Sequence, residues 1–310
     1  MRSSITIGTR GSQLAKTQTG HVADMIRTAH PGLEVNTKII TTKGDVILDK
    51  PLAEIGGKGL FTLELETELR DGSIDLAVHS LKDLPTDDPD GLTIAAMPER
   101  VTPNDVLVCG KWAAIYELPE NAIVGTSSLR RKAQLLAHRP DLDVRDLRGN
   151  VDTRCRKVLE DGEYDAAILA AAGLERIDRA DAIAQVIPAE IMLPAASQGV
   201  LGIQTRADDD ELIGMLAAIH HDQTWWEATA ERALLEGLGG GCQVPIGALA
   251  SLNETHPVLE ACVYSLDGQR GLRTALKASP GDRPDPSEFG RQLADSILEG
   301  EGKEIIAELN

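Results

Sequence analysis

Five arginines in separate loops, a lysine–aspartate pair and one cysteine among glycines are the residues of this 310-residue chain best placed to do chemistry. The cysteine lies in Gly239-Gly240-Gly241-Cys242-Gln243-Val244-Pro245. Three glycines strip away side-chain cover and tolerate positive φ, and the proline stiffens the chain again. A sulfur presented in this way suits covalent attachment; a small apolar residue in a turn is the plain alternative. The arginines begin in Thr9-Arg10-Gly11-Ser12, where a strand should enter a helix. Amides at a helix N-terminus plus a guanidinium attract anions, and helix capping alone would explain Ser12 but not Arg10. Gly125-Thr126-Ser127-Ser128-Leu129-Arg130-Arg131 sets hydroxyls at a helix start, followed by paired arginines. Leu147-Arg148-Gly149-Asn150-Val151-Asp152-Thr153-Arg154 adds two more. Guanidinium forks match carboxylates bidentately, which lysine cannot copy. Together they imply a ligand with several carboxylates or phosphates, without naming it.

Two further loops carry charge. In His79-Ser80-Leu81-Lys82-Asp83 a turn would let Lys82 and Asp83 reach one ligand. An acid beside cations stays ionised, so Asp83 can act as a base or acceptor; a solvated ion pair is the alternative. Gly56-Gly57-Lys58-Gly59 resembles a phosphate loop but lacks the Walker spacing and the Ser/Thr after lysine. A nucleoside-triphosphate site is therefore not expected, although Lys58 is well placed to meet a carboxylate.

The elements that must hold these loops alternate. Strands are expected at 5–9, 35–41, 74–78 and 92–97, with helices at 12–29 and 60–70 between them. A second run repeats the grammar: strand 123–125, helix 127–138, strand 143–147, helix 150–159 and strand 166–171. Such alternation implies βαβ units and mainly parallel sheets, whose strand C-termini carry binding loops. A strand at 200–205 could return to either sheet. The remainder differs, with a helix over 222–238, three alternating segments near 246–252, 258–266 and 273–278, and a helix over 285–298. The expected domains are 1–99 plus about 200–218, then 100–199, then 219–310. No internal repeat is evident in the sequence.

Bulk properties narrow the classes. Hydrophobic content of 42% with eight aromatics predicts aliphatic cores in a soluble protein. No secretory signal is visible, and the longest apolar run, 166–173, is far below the ~20 residues needed to span a bilayer. A cytoplasmic protein with four reduced cysteines is expected, without metal-ligand spacing. A net charge of −18 disfavours nucleic acid or acidic membranes as partners. Against that background residues 130–157 hold nine Lys/Arg and four Asp, a net of +5. A solvated basic helix face would account for such an island, but these arginines border glycine turns and helix starts.

Taken in order, the strings Thr9-Arg10-Gly11-Ser12-Gln13-Leu14-Ala15, Lys43-Gly44-Asp45, Gly56-Gly57-Lys58-Gly59-Leu60-Phe61 and Ala77-Val78-His79-Ser80-Leu81-Lys82-Asp83 resemble the porphobilinogen deaminase (hydroxymethylbilane synthase) family. So do Val124 to Arg131, Leu147 to Val151, Gln198-Gly199 and Gly240-Gly241-Cys242-Gln243-Val244-Pro245. The resemblance covers essentially the whole chain. It implies an α/β fold with two doubly wound domains like type II periplasmic binding proteins flanking a cleft, plus a small C-terminal α+β domain. It implies a dipyrromethane cofactor joined by a thioether to Cys242. It implies a transferase that condenses four porphobilinogens head to tail with loss of ammonia and releases 1-hydroxymethylbilane, in tetrapyrrole (haem) biosynthesis.

Carried over residue by residue, Asp83 matches the catalytic carboxylate. Ser80, Lys82, Thr126, Ser128, Arg130, Arg131, Arg148, Gly149 and Arg154 match cofactor-binding positions. Arg10, Ser12, Lys58, Phe61, Arg148, Arg154, Arg176 and Gln198 match substrate-binding positions, and no metal is implied. Glu54 stands where some relatives carry lysine, and Ser197 where glycine is common. A monomer is the default expectation. A non-catalytic two-domain anion-binding protein would explain the lobes and arginines, but would need neither Cys242 nor the third domain.

Overall fold

The computed structural model describes residues 2–42, 62–240, 244–253 and 256–308. In chain order the first elements are β1 (Ser4–Thr9), α1 (Gln13–Ala29), β2 (Glu34–Ile39), α2 (Leu63–Arg70), β3 (Leu76–Ser80) and β4 (Leu92–Ala96). Then come β5 (Asp105–Val108), β6 (Ile123–Gly125), α3 (Leu129–His138), β7 (Asp143–Arg145), α4 (Val151–Leu159), β8 (Ala166–Ala170), α5 (Ala171–Arg176) and β9 (Ile183–Val186). The remainder is β10 (Leu201–Arg206), α6 (Asp210–Leu216), α7 (Asp222–Gly237), β11 (Ile246–Leu252), β12 (Pro257–Tyr264), β13 (Gly271–Lys277), α8 (Pro286–Glu299) and α9 (Gly302–Ala307). They form two compact units, Met1–Arg100 with Val200–Trp225, and Val101–Gly199 with Trp226–Asn310.

The first unit is built on a sheet of order β2-β1-β3-β10-β4. β1 pairs in parallel with β2 and β3, while β10 runs antiparallel to β3 and β4. The strand expected near 200–205 therefore returns to this sheet. Both faces are covered. Val22, Ala23 and Ile26 of α1, with Leu212 and Leu216 of α6, pack on one side. Leu65 and Leu69 of α2 pack on the other with Ile40, Ile74 and Ala77. Burial on both faces explains why β3 opens on three consecutive apolar residues, Leu76-Ala77-Val78, rather than an alternation.

The second unit holds a sheet of order β7-β6-β8-β5-β9. Here β6 is parallel to β7 and β8, and β5 is antiparallel to β8 and β9. The two sheets thus share one topology, an internal repeat that the sequence does not announce. Strand β5 is not among the expected strands: Asp105 heads only a short apolar run, with no helical pattern beside it to mark a βα alternation. Also in this unit, the antiparallel sheet β11-β12-β13 packs with α7, α8 and α9 around Trp226, Leu234, Leu259, Phe289 and Ile297. Trp226 and Phe289 meet with ring centroids 5.6 Å apart at 44°, and the indole N–H donates to Pro284 O at 2.9 Å. The tip of the β12–β13 hairpin seats Gly268, at φ +73°, on the α3 backbone, where a Cβ would lie 2.6 Å from Ala133 O.

Candidate active site

In a doubly wound sheet of order 2-1-3 the connections leave β1 and β3 in opposite directions, and the loops at their C-terminal ends open a crevice. In the first unit those loops carry the predicted polar residues. Ser12 caps α1, its Oγ accepting the Ala15 N–H at 3.2 Å. β3 ends at Ser80 and passes into a 3-10 turn, Leu81–Asp83. Leu81 is fully buried and its amide donates to Val200 O at 3.0 Å, which anchors the turn from below. Lys82 is left half-buried and Asp83 exposed. A small pocket of about 70 Å³ lies here, with Arg10, Ser12, Ser80 and Asp83 in its lining.

Gln18 and His79, which had no predicted role, are among the other residues that line this pocket. Gln18 reads in sequence as part of the inward line of α1, yet its amide donates to Ser80 Oγ at 2.8 Å. His79 donates from Nε2 to Gln204 Oε1 at 3.2 Å. Burial, with some help from the Arg10 charge, pushes its pKa down to about 4, so it is neutral near pH 7.

The corresponding crevice of the second unit lies beyond β6 and β8. Thr126 is buried and its Oγ1 accepts the Ser128 N–H at 3.2 Å. Ser128 in turn caps α3 by accepting from Arg131 N at 3.4 Å. The cap points the first turn of α3, and with it Arg130 and Arg131, at Asp105. Asp105 is fully buried. Arg130 Nη1 lies 2.6 Å from its Oδ2, and Arg131 Nε lies 2.9 Å from its Oδ1. The same guanidiniums also donate to Leu193 O and Ile168 O. Burial by itself would raise the Asp105 pKa, but the two arginines outweigh it and hold the carboxyl well below the usual range. Gln198 belongs to this cluster: it is fully buried and its amide reaches Asp105 Oδ1 at 2.9 Å and Pro103 O at 2.6 Å. Asp105 had no assigned role; its only trace in the sequence is an acid heading an apolar trio after Pro103.

The other arginines are differently placed. Gly149 sits at φ +114°, where a Cβ would come within 2.8 Å of Thr153 Cγ2, so the turn before α4 demands glycine. Its carbonyl accepts Arg154 Nε at 2.7 Å, and Asn150 caps the helix through the Thr153 N–H at 3.2 Å. Arg148 and Arg154 are half-buried. Arg176, at the end of α5, donates to Gly199 O at 2.8 Å. Among the described residues no carboxylate hydrogen-bonds it, and burial lowers its pKa to about 10. A desolvated guanidinium in that condition is receptive to an anion.

Ser197, fully buried, adopts φ +61°, the left-handed region that favours glycine, and its amide donates to Glu231 Oε2 at 2.6 Å. Cys242, Lys58 and Phe61 lie outside the described residues, as does Glu54. The arm leading to Cys242 is visible at its base, where Gly239 and Gly240 donate to Glu236 O and Leu235 O and end α7. Among the described residues no group of His, Cys, Asp or Glu is arranged to hold a metal.

Known proteins align with this arrangement along nearly its full length. The family domain described as "Porphobilinogen deaminase, dipyromethane cofactor binding domain" matches residues 5–214, and "Porphobilinogen deaminase, C-terminal domain" matches 225–299. A porphobilinogen deaminase of Roseiflexus castenholzii is 47% identical over 309 residues, covering 99% of this chain and 100% of that one. One from Desulforudis audaxviator is 50% identical over 307 residues, covering 99% and 98%. Among solved structures, the methionine-binding protein MetQ shows a loose likeness, with 15% identity and a TM-score of 0.46 over 72% of this chain and 92% of that one.

Proposed function

The chain belongs to the porphobilinogen deaminase family, and from that premise we propose that Asp83 is its catalytic carboxylate and Cys242 the attachment point of its cofactor. The enzyme is a transferase that polymerises porphobilinogen in tetrapyrrole biosynthesis, and its N-terminal family domain binds dipyrromethane. When bound, that group supplies the pyrrole carbon onto which new rings are added.

The residues present suit such a polyanion. Each pyrrole carries an acetate and a propionate, and Arg176 is a half-buried cation that no described carboxylate bonds. Arg10, Ser12, Lys82, Arg148 and Arg154 serve as further carboxylate partners in this reading, with Ser80, Thr126, Ser128 and the Gly149 backbone supplying hydrogen bonds. Arg130, Arg131 and Gln198 act from orientations set by Asp105. Lys58 and Phe61 are assigned by resemblance alone.

The observation that carries the catalytic assignment is the Ser80–Asp83 turn. It exposes the Asp83 carboxylate at a pocket whose other polar lining is Arg10, Ser12, Gln18, Thr62, His79 and Ser80, beside the apolar Leu14, Ala15, Val78 and Leu84. Loss of ammonia from the substrate's aminomethyl carbon leaves positive charge on its ring nitrogen. A fixed carboxylate near that N–H stabilises the charge as it develops, and can take the proton released when the rings join. Cys242 reacts once, as thiolate, when the cofactor is installed. We also read the protein as cytoplasmic and monomeric: Cys109, Cys155 and Cys262 are buried free thiols, as a reducing compartment would keep them. No described helix is long and apolar enough to cross a membrane.

Intact mass with peptide mapping tests the attachment. A two-pyrrole adduct on the Cys242 peptide, positive with Ehrlich's reagent, is expected. The same adduct on Cys109, Cys155 or Cys262 would overturn the assignment.

A further inference from the structure

Thr62 stands at the N-cap of α2, where a threonine ordinarily turns its hydroxyl back to accept a helix N–H. Here the backbone, at φ −122° and ψ −27°, is outside the capping conformation, and no side-chain cap bond forms. The Thr62 carbonyl still takes the first helical bond, from Glu66 N at 2.8 Å. The residue is only 3% exposed, and its Oγ1 is buried without a hydrogen-bond partner among the described residues. Such orphans are uncommon in native structures because desolvating a hydroxyl unrewarded is costly. Thr62 is among the residues that line the same pocket as Arg10, Ser12, Gln18, Ser80 and Asp83.

We propose that Thr62 is a substrate-binding residue, its hydroxyl donating to a carboxylate of the incoming pyrrole beside Arg10. The proposal rests on the family reading, which supplies a substrate bearing carboxylates. Arg10 gives the pocket lining its positive charge, and the neighbouring neutral donors can share a carboxylate's remaining lone pairs. Hydrogen bonds to ionised acceptors are stronger than neutral ones. Moreover, the usual discount for exchanging one partner for another is absent, because Thr62 Oγ1 has no partner among the described residues to give up. The hydroxyl therefore weakens the free protein and strengthens the complex, and its removal should move stability and affinity in opposite directions.

Thr62→Val keeps the shape and removes the donor, Thr62→Ser keeps the donor, and Thr62→Ala covers the case in which valine does not fit. Each is purified with its attached pyrroles, assayed for porphobilinogen consumption and melted thermally. Thr62→Val, or Thr62→Ala in its place, should raise KM about tenfold with a smaller change in kcat, while the valine variant melts no lower than wild type. Thr62→Ser should keep KM near the wild-type value. An unchanged KM with a higher melting temperature would mean an orphan that substrate never meets. An unchanged KM with a lower melting temperature would mean a hydroxyl bonded to buried water. Either result overturns the proposal. A wild-type enzyme unable to consume porphobilinogen would instead bring down the family reading on which it rests.

Discussion

The sheets β2-β1-β3-β10-β4 and β7-β6-β8-β5-β9 are two copies of one frame, and the same devices recur in both. Gly8 in β1 and Gly125 in β6 occupy matching positions, and a Cβ on either would lie within 2.8 Å of a neighbouring side chain. Asp75 before β3 accepts the Thr6 N–H at 2.7 Å, and Asp165 before β8 accepts the Ile123 N–H at 2.9 Å. The difference begins where the third strand leaves the sheet. β3 exits through Ser80-Leu81-Lys82-Asp83, whereas β8 exits through Ala170-Ala171-Ala172-Gly173. On the antiparallel strand beside it, Leu201 faces Ser80 in one sheet and Asp105 faces Ala170 in the other. One frame exposes its acid at a pocket; the other buries an acid and uses it to aim two arginines. Geometry is common to the two copies and chemistry is assigned to each separately, as expected when function is grafted onto a scaffold.

The comparison breaks first at Asp105. Replacing it by the residue of the other frame, Asp105→Leu, strands two guanidiniums, and urea unfolding should show a loss of about 3–5 kcal/mol. Removing Arg130 and Arg131 together, as methionines, should restore most of it. Near-native stability of Asp105→Leu alone would mean that the cluster does not hold this unit together.

Asp83→Ala comes next. Turnover should fall about 10²–10³-fold, while the fold and the attached pyrroles persist, because only charge developing in the reaction is left unmatched. Near-normal turnover would remove the functional asymmetry between the two strand exits.

His79 gives the smallest effect and a sign that can be checked. Its folded pKa of about 4 lies below the ordinary value of 6.5, so the unfolded chain binds more protons between those pH values. The stability it contributes is complete above pH 6.5 and is lost as pH falls toward 4, by up to about 3 kcal/mol. Carboxylates elsewhere in the chain also change charge as pH falls, so the informative quantity is the change in slope when His79→Gln is compared with wild type. An unchanged slope would mean that His79 titrates alike in both states.

Much of the frame was legible in local pattern. The strand at β1, the spans of α1 and α3, and the antiparallel strand β11 fall where periodicity puts them, because alternation and helical spacing report burial of one face. The caps Ser12, Ser128 and Asn150 are legible for a similar reason, since a cap and the amide it satisfies lie three residues apart. Strands β5 and β9 were not legible. Each is short and held by pairing to distant chain, and neither lies between the helical patterns that mark the still shorter β6 and β7.

By itself, then, the sequence determined the alternation of elements, the placing of basic loops at strand ends, and family membership, all carried by residues near one another in the chain. Tertiary structure alone decided how those charges are used. Asp105 meets Arg130 across 25 residues and Gln198 across 93. Among the described residues no acid hydrogen-bonds Arg176 and nothing pairs with the buried Thr62 hydroxyl, while His79 is neutral because the sheet closes over it. The physical reason is that the free energy of a buried polar group depends on what surrounds it in space, and that environment comes from residues remote in sequence.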